Sequence, residues 1–447
     1  MTRSVCQLPS YFVWYFLKPK LFQTVRPVYN GPVGTGKRSG IGVSLADIQA
    51  ARQEIRKHLE PSPLLESPWL SEQLGGRIFL KLENMHPIGS FKIRGAIYRV
   101  SRLSAKERKR GVIAASAGNH AQGVAWAARL YGVRSEIVMP KGATLVKVQN
   151  TKSLGAEVIL EGDTYEDALV FARKRARKTG KVFIHGFEDA DVIAGQGTAG
   201  LEILEQLPDL DVVIGAVGGG GWMAGLATAI KALRPECQVV AAQAKGASAM
   251  IQSVRSHRHV KLREVQTIAD GIAIPDATNR MRHLLEPLVD RWVEMEDEAI
   301  ASSILTLMEK AKILTEGAGA LPLAVAEHLR SESRGVFKGK KVVLAIGGGN
   351  VDVNMLSRIL DRGLIKLGRR LRVNVLLSDR PGSLARLATL IAEHGANILQ
   401  AIHDRSEATT GVGQTDVALT LETKGPEHSN EVIRALRAHV LRIELVS

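Results

Sequence analysis

Three short stretches of the chain carry side chains and turns suited to chemistry. The first, KLENMHPIGSFKIRGA at 81–96, takes an apolar strand (Ile78, Phe79, Leu80, Leu82) into a turn marked by Pro87 and Gly89. The chain then restarts as a helix, with Ser90 placed as its cap and Lys92 in its first turn. An ammonium at that end opposes the helix dipole, so Lys92 suits a lowered pKa or an imine nitrogen. A Schiff-base lysine requires just that, although a lone lysine is more often a solvated surface charge. The second stretch, SAGNH at 116–120, follows an apolar run and opens another helix. Backbone donors there suit a carboxylate, and Asn119 offers an amide for a ring hydroxyl. The third, GGGGW at 218–222, lets main-chain N–H groups fold around a phosphate. Gly219, Gly221 and Ala224 also match the GxGxxA pattern of dinucleotide folds. The next strand should then end in an acid, and it ends in Gln243.

These turns need elements to hold them. Apolar runs at 112–115, 136–139, 157–160, 182–184, 212–217, 238–242 and 342–346 alternate with amphipathic stretches such as 121–131 and 225–233. Short strands alternating with helices predict parallel sheets covered on both faces, with ligands at the carboxyl ends of the strands. Upstream, Ser44 caps a helix that sets Leu45, Ile48, Arg52, Ile55 and Leu59 on one side, and Pro61 and Pro63 end it.

A chain of 447 residues predicts two or three domains. Its net charge of +15 raises a nucleic-acid or membrane role. Basic residues are instead spread over helix faces, with aromatics only 4%, so no base-stacking platform is expected. Cys6 and Cys237 cannot build a disulfide framework, which fits a reducing cytoplasm. Residues 1–46 hold no Asp or Glu and seven of the chain's twenty aromatics. Their apolar run is far shorter than the roughly 20 residues a bilayer demands. Residues 1–43 are expected to be a disordered extension outside the fold, with an upstream translation start and a targeting peptide as the other readings.

Together the segments GSFKIRGA (89–96), SAGNH and GGGGW resemble the serine/threonine dehydratases, pyridoxal-phosphate enzymes of fold type II. HGFEDADVIAGQGTAGLEI (185–203), TIADGIAI (267–274), EGAGA (316–320) and GGGNVD (347–352) agree with them. The resemblance implies a catalytic domain over 44–365 with a smaller subdomain near 112–187. It implies that Lys92 forms the imine with the cofactor and then serves as base at the substrate Cα. Phe91 would flank the ring and Asn119 would bond its 3-hydroxyl. Gly218, Gly219, Gly220, Gly221 and Trp222 would contact the phosphate. Ser116, Asn119 and His120 would take the substrate carboxylate. Gly347 stands where the family commonly has a serine facing the pyridine nitrogen, so no side chain reaches that nitrogen here. Ala117 replaces the acid/base serine of racemases, which implies elimination from one face. Gln243 replaces a cation ligand of some relatives, and no metal is expected.

After residue 365 the pattern changes. Strand, helix, two strands, helix and strand follow one another, a βαββαβ ferredoxin-like order with Val417, Leu419 and Leu421 inward. DRPGSL (379–384) and EHGANIL (393–399) resemble ACT domains, which pair across protomers and often bind amino acids. Residues 366–447 are therefore expected to be a regulatory or dimerising domain, with Asp379, Gly382 and Asn397 as effector contacts. His394 and His403 are expected to be packing or surface residues. The fold class expected is α/β of fold type II plus this ACT domain, in a cytoplasmic homodimer or homotetramer. The resemblance implies β-elimination from a small amino acid, L-threonine with some L-serine. Another β-hydroxy amino acid as substrate, or a silent amino-acid sensor, are the competing readings.

Overall fold

The computed structural model describes residues 42–404 and 411–446. The extension expected over 1–43 thus lies, up to residue 41, outside the described residues. A six-stranded sheet has the order β1 (Leu64–Glu66), β2 (Arg77–Leu82), β10 (Lys341–Ile346), β7 (Val212–Ala216), β8 (Gln238–Ala244), β9 (Arg291–Met295). All neighbours run parallel except β1 against β2. A second, wholly parallel sheet has the order β5 (Glu157–Leu160), β4 (Ser135–Met139), β3 (Val112–Ala115), β6 (Val182–Phe183). The third sheet is antiparallel, with β12 (Asn397–Asp404), β13 (Gln414–Glu422), β11 (Arg370–Ser378) and β14 (Arg442–Leu445) in that order.

Alternation along the large sheet explains its place in the core. Val213, Val239 and Val343 enter one apolar layer, while Val212, Val240 and Val342 enter the layer on the opposite face. A sheet buried on both sides must read as continuous apolar runs, which is how β7, β8 and β10 read. Strands β1 and β9 escaped sequence reading for the opposite reason. β1 has three residues, two of them exposed, and RWVEM in β9 mixes charge with apolar side chains. In the third sheet, β11 and β13 bury every second residue, as expected of one open face. Leu387 and Ile391 face that core, whereas Leu384 on the same helix is 40% exposed.

The Lys92–Ser101 helix follows β2 and packs against both the Asn119–Leu130 and the Ala190–Gln206 helices. Ser90 does not cap it. Phe91 occupies the N-cap position without a side-chain bond, and the Ser90 hydroxyl is buried with no protein partner. Backbone pairing is the cause: Ser90 forms an antiparallel bridge with Gly348, and Phe91 N–H donates to Gly347 O at 3.0 Å.

What anchors the helix instead is Arg94, fully buried and forked between two buried carboxylates. Its Nε and Nη2 donate to Glu83 at 2.6 and 2.8 Å, and its Nη1 and Nη2 donate to Glu202 at 2.6 and 2.7 Å. Lys81 Nζ adds a bond to Glu202 at 2.8 Å, so two cations meet two anions. Burial works to raise the Glu83 pKa, yet Arg94 and His86 hold it well below the usual carboxylate range. Removing one member of such a cluster leaves charge buried and unpaired, a loss of roughly 3–5 kcal/mol. Arg94→Met is therefore expected to lower the unfolding free energy by about that amount in denaturant titration. A loss under about 1 kcal/mol would mean that the cluster is not what holds this helix.

Candidate active site

Lys92 is half-buried at the first turn of its helix, and its Nζ donates to Gly186 O at 2.9 Å. Burial pulls its pKa down to about 8, and the Glu316 charge works against that shift. The lowered value was expected; its leading cause is desolvation rather than the helix dipole. The carbonyl that receives Lys92 sits in the loop after β6, shaped by His185. That ring accepts from Glu188 N at 2.9 Å and from Phe187 N at 3.4 Å through Nδ1. Burial holds His185 down to about 4, so it stays a neutral acceptor near the amine.

Behind Lys92 lies a slot walled by Phe91, Asn119, Phe187, the loop 218–221 and Gly347. Gly220 takes the left-handed conformation (φ 97) at the N-cap of the Gly221–Leu233 helix, and no side chain caps that end. The loop tolerates nothing larger. A Cβ on Gly219 would stand 2.4 Å from the Phe187 ring, and one on Gly221 would stand 2.6 Å from Phe187 O. Uncapped amides at a helix start, cleared of side chains, suit a phosphate, so the residues present fit a phosphorylated aldehyde spanning from this loop to the Lys92 amine. Trp222 borders the slot, and its ring stacks on Phe91 (centroids 4.2 Å, 26°), which leaves its main chain for an anion. Gly347 lies against the same Phe91 ring, and a Cβ there would come within 3.2 Å of it. Gln243, at the end of β8, accepts from Ile251 N and donates to Ala247 O within its own turn, so the dinucleotide reading finds no acid.

In front of Lys92 opens a chamber of about 360 Å³, bordered by the 116–120 loop, Lys147, Tyr165, Asp270 and Asn350. Ser116, Asn119 and His120 are thus brought together with Lys92, as expected. They differ in what they offer. Ser116 Oγ accepts from Gly118 N at 3.1 Å, and Asn119 opens the Asn119–Leu130 helix behind an uncapped Gly118. The buried His120 ring has its Nε2 against Ile184 O at 3.1 Å, and burial holds its pKa to about 3. A neutral ring with its N–H committed to Ile184 leaves the chamber its main chain. Ala117 lines the chamber with no proton to give. Lys147 Nζ pairs with Asp270 across it at 2.7 Å, tying the Leu145–Ser153 helix of the small sheet to the Asp270–Ile272 turn. Sequence reading passed over Gly186, Lys147, Asp270, Glu316 and Asn350. All but the segment of Lys147 were noticed only as wording shared with a family, because residues far apart in the chain meet here.

In the third sheet, Asp379 and Gly382 border a cavity of about 380 Å³ with His403. Asn397 is not there; its amide reaches Glu422 at 3.4 Å on the β12–β13 edge.

Parallel sheets with an amine, a glycine cradle and an uncapped loop between them define a pyridoxal-phosphate site. Residues 55–348 match the family described as pyridoxal-phosphate dependent enzyme, and residues 371–438 match the ACT domain. The chain belongs to the pyridoxal-phosphate dependent enzymes, and pyridoxal phosphate is its cofactor. It is 44% identical to an L-threonine ammonia-lyase of Thermotoga maritima over 90% of this chain and 100% of that protein. Among solved structures it is similar to the processed form of threonine deaminase isoform 2 from Solanum lycopersicum, with TM-score 0.68 and 34% identity over 71% of this chain and 86% of that one. It is likewise similar to maize serine racemase, with TM-score 0.68 and 32% identity over 73% and 99% of the two chains.

Only a neutral amine attacks an aldehyde. The rate at which cofactor-free protein captures pyridoxal phosphate, followed by its yellow absorbance, should climb about tenfold per pH unit and level off near pH 8. A rate still climbing at about pH 10 would show an ordinary, solvated lysine.

Proposed function

We propose that this enzyme is a threonine ammonia-lyase: it removes water from L-threonine and then releases ammonia, leaving 2-oxobutanoate, with L-serine as a second substrate. The observation that carries this reading is the desolvated Lys92 amine, held by Gly186 O between a phosphate cradle and a carboxylate-sized chamber. Identity of 44% with the Thermotoga maritima L-threonine ammonia-lyase over that protein's full length supports the substrate.

Bound pyridoxal phosphate supplies a conjugated sink for the electrons of the substrate Cα–H bond. The protein does the rest. The main-chain amides of 218–221 would hold the phosphate, Phe91 and Asn119 would orient the ring, and Lys92 would anchor it before substrate binds. Ser116 and the uncapped start of the Asn119 helix bind the substrate carboxylate, which turns the Cα–H toward Lys92. Lys92 Nζ, poised near neutrality, takes the Cα proton. The Cβ–O bond breaks, and the hydroxyl leaves as water with the proton that Lys92 took from Cα. The enamine released becomes an imine, and a water molecule hydrolyses it to the oxo acid and ammonia. Ala117 offers no proton on the opposite face, so the substrate Cα would not regain a proton there and elimination would outcompete racemisation.

Residues 44–365 make up the catalytic domain in this reading, with 112–187 as its smaller subdomain, and 366–447 regulate or dimerise. Asp379 and Gly382 contact an amino-acid effector, and the exposed Leu399 and Ile402 on edge strand β12 support pairing into a homodimer or homotetramer. No helix among the described residues is long and apolar enough to cross a membrane. Cys237 is a free, buried thiol raised to about 12 by desolvation, which supports a cytoplasmic enzyme without thiol chemistry.

Lys92→Ala should lose turnover of threonine to 2-oxobutanoate by several orders of magnitude, because anchor and base go together. In the same assay over a panel of β-hydroxy amino acids, threonine should give the highest kcat/KM. A higher value for a hydroxyaspartate would move the enzyme to another substrate class.

A further inference from the structure

One buried acid of the chamber has no part in the chemistry above. Glu316 occupies the N-cap position of the Gly317–Glu332 helix in extended backbone (φ -79, ψ 169). A carboxylate placed there ordinarily accepts from the amides of its own first turn. Glu316 makes no such bond. Its oxygens take the Asn119 side-chain amide instead, Nδ2 donating to Oε1 at 2.8 Å and to Oε2 at 3.1 Å.

The other end of that amide is held as well. Asn350 Nδ2 donates to Asn119 Oδ1 at 2.7 Å and to Ile88 O at 2.8 Å. A carboxylate only accepts, so turning Asn119 over would set oxygen against oxygen at one end and two NH2 groups together at the other. The backbone is shaped to admit this arrangement. A Cβ on Gly348 would fall 2.4 Å from Glu316 Oε1 and 3.1 Å from Asn119 Nδ2. Gly348 O in turn accepts from Glu316 N at 3.1 Å and from Thr315 Oγ1 at 2.8 Å. Burial, with Asp270 next in the same sense, raises the Glu316 pKa to about 7, and the Asn119 bond works to lower it.

We infer that Glu316 is a positioning residue: it fixes the Asn119 amide with its N–H turned to the slot that receives the cofactor's ring oxygen, and Asn350 is the counter-anchor. The inference rests on the proposed reading of Lys92 and the glycine loop as the cofactor site. Glu316 borders both the slot and the chamber, and it acts on the ring through Asn119. Its loss weakens cofactor binding and alters the ring's electronic state only while Asn119 is present.

The test is titration of cofactor-free protein with pyridoxal phosphate, with the visible band of the bound cofactor recorded alongside. Glu316→Ala should weaken binding about 10- to 100-fold, the range for a hydrogen bond to a charged group, and displace the band. Glu316→Gln keeps an acceptor for Asn119, so it should restore the band and most of the affinity; it also serves should the alanine variant fail to fold. In an Asn119→Ala background, Glu316→Gln and Glu316→Ala should change affinity by less than about twofold. Equal losses with and without Asn119, or wild-type affinity and band in Glu316→Ala, would overturn the inference. Failure of the wild type to bind, or binding unaffected by Lys92→Ala, would instead overturn the reading beneath it.

Discussion

The Arg94 fork is the constraint on which the site depends. Two residues past Lys92, a guanidinium with no access to water is pinned by Glu83 at the end of β2 and by Glu202 on the Ala190–Gln206 helix. A buried cluster of this kind contributes little net stability compared with apolar packing, but it accepts only one geometry. Bidentate contacts fix the rotation of the Lys92–Ser101 helix about its axis, and with it the direction in which Lys92 leaves the first turn. Buried charge here specifies where the amine goes.

Desolvation then sets what that amine is. Lys92 lies between two sheets, and the same withdrawal from water pushes Lys92, His120 and His185 toward their neutral forms while it raises Glu316. One physical cause thus prepares a nucleophile near neutral pH and keeps two imidazoles from adding positive charge beside it. Anion binding is left to main-chain amides at two uncapped helix starts. Fixed dipoles of that kind bind a phosphate or carboxylate without another cation, which would depress the lysine further.

The Lys147–Asp270 pair spans the chamber between the small parallel sheet and the large one. A partly exposed ion pair contributes about 1 kcal/mol at most, so it closes the chamber without locking it. The antiparallel sheet beyond residue 369 has a separate apolar core and an open face, and its geometry is independent of the lysine site.

The glycine loop, the Ser116–His120 turn and the lysine helix were legible in sequence because each is a local rule: a strand ends, small or capping residues follow, a helix begins. The βαββαβ order was legible for the same reason, through alternation in β11 and β13. Local rules failed where backbone pairing took precedence, as at Ser90, whose bridge to Gly348 removes it from the helix it precedes. Nor do local rules place the Trp222 ring, which stacks on Phe91. No spacing pattern joins Asn119 to Glu316 and Asn350, or Arg94 to Glu202, because those partners are separated by about a hundred residues or more and meet only after both sheets have formed. The amino-acid order by itself determined the fold and singled out an amine and a glycine loop to expect; only the tertiary structure decided how that amine is aimed, how far water is kept from it, and which neighbours hold Asn119, since burial and long-range pairing are properties of the packed chain.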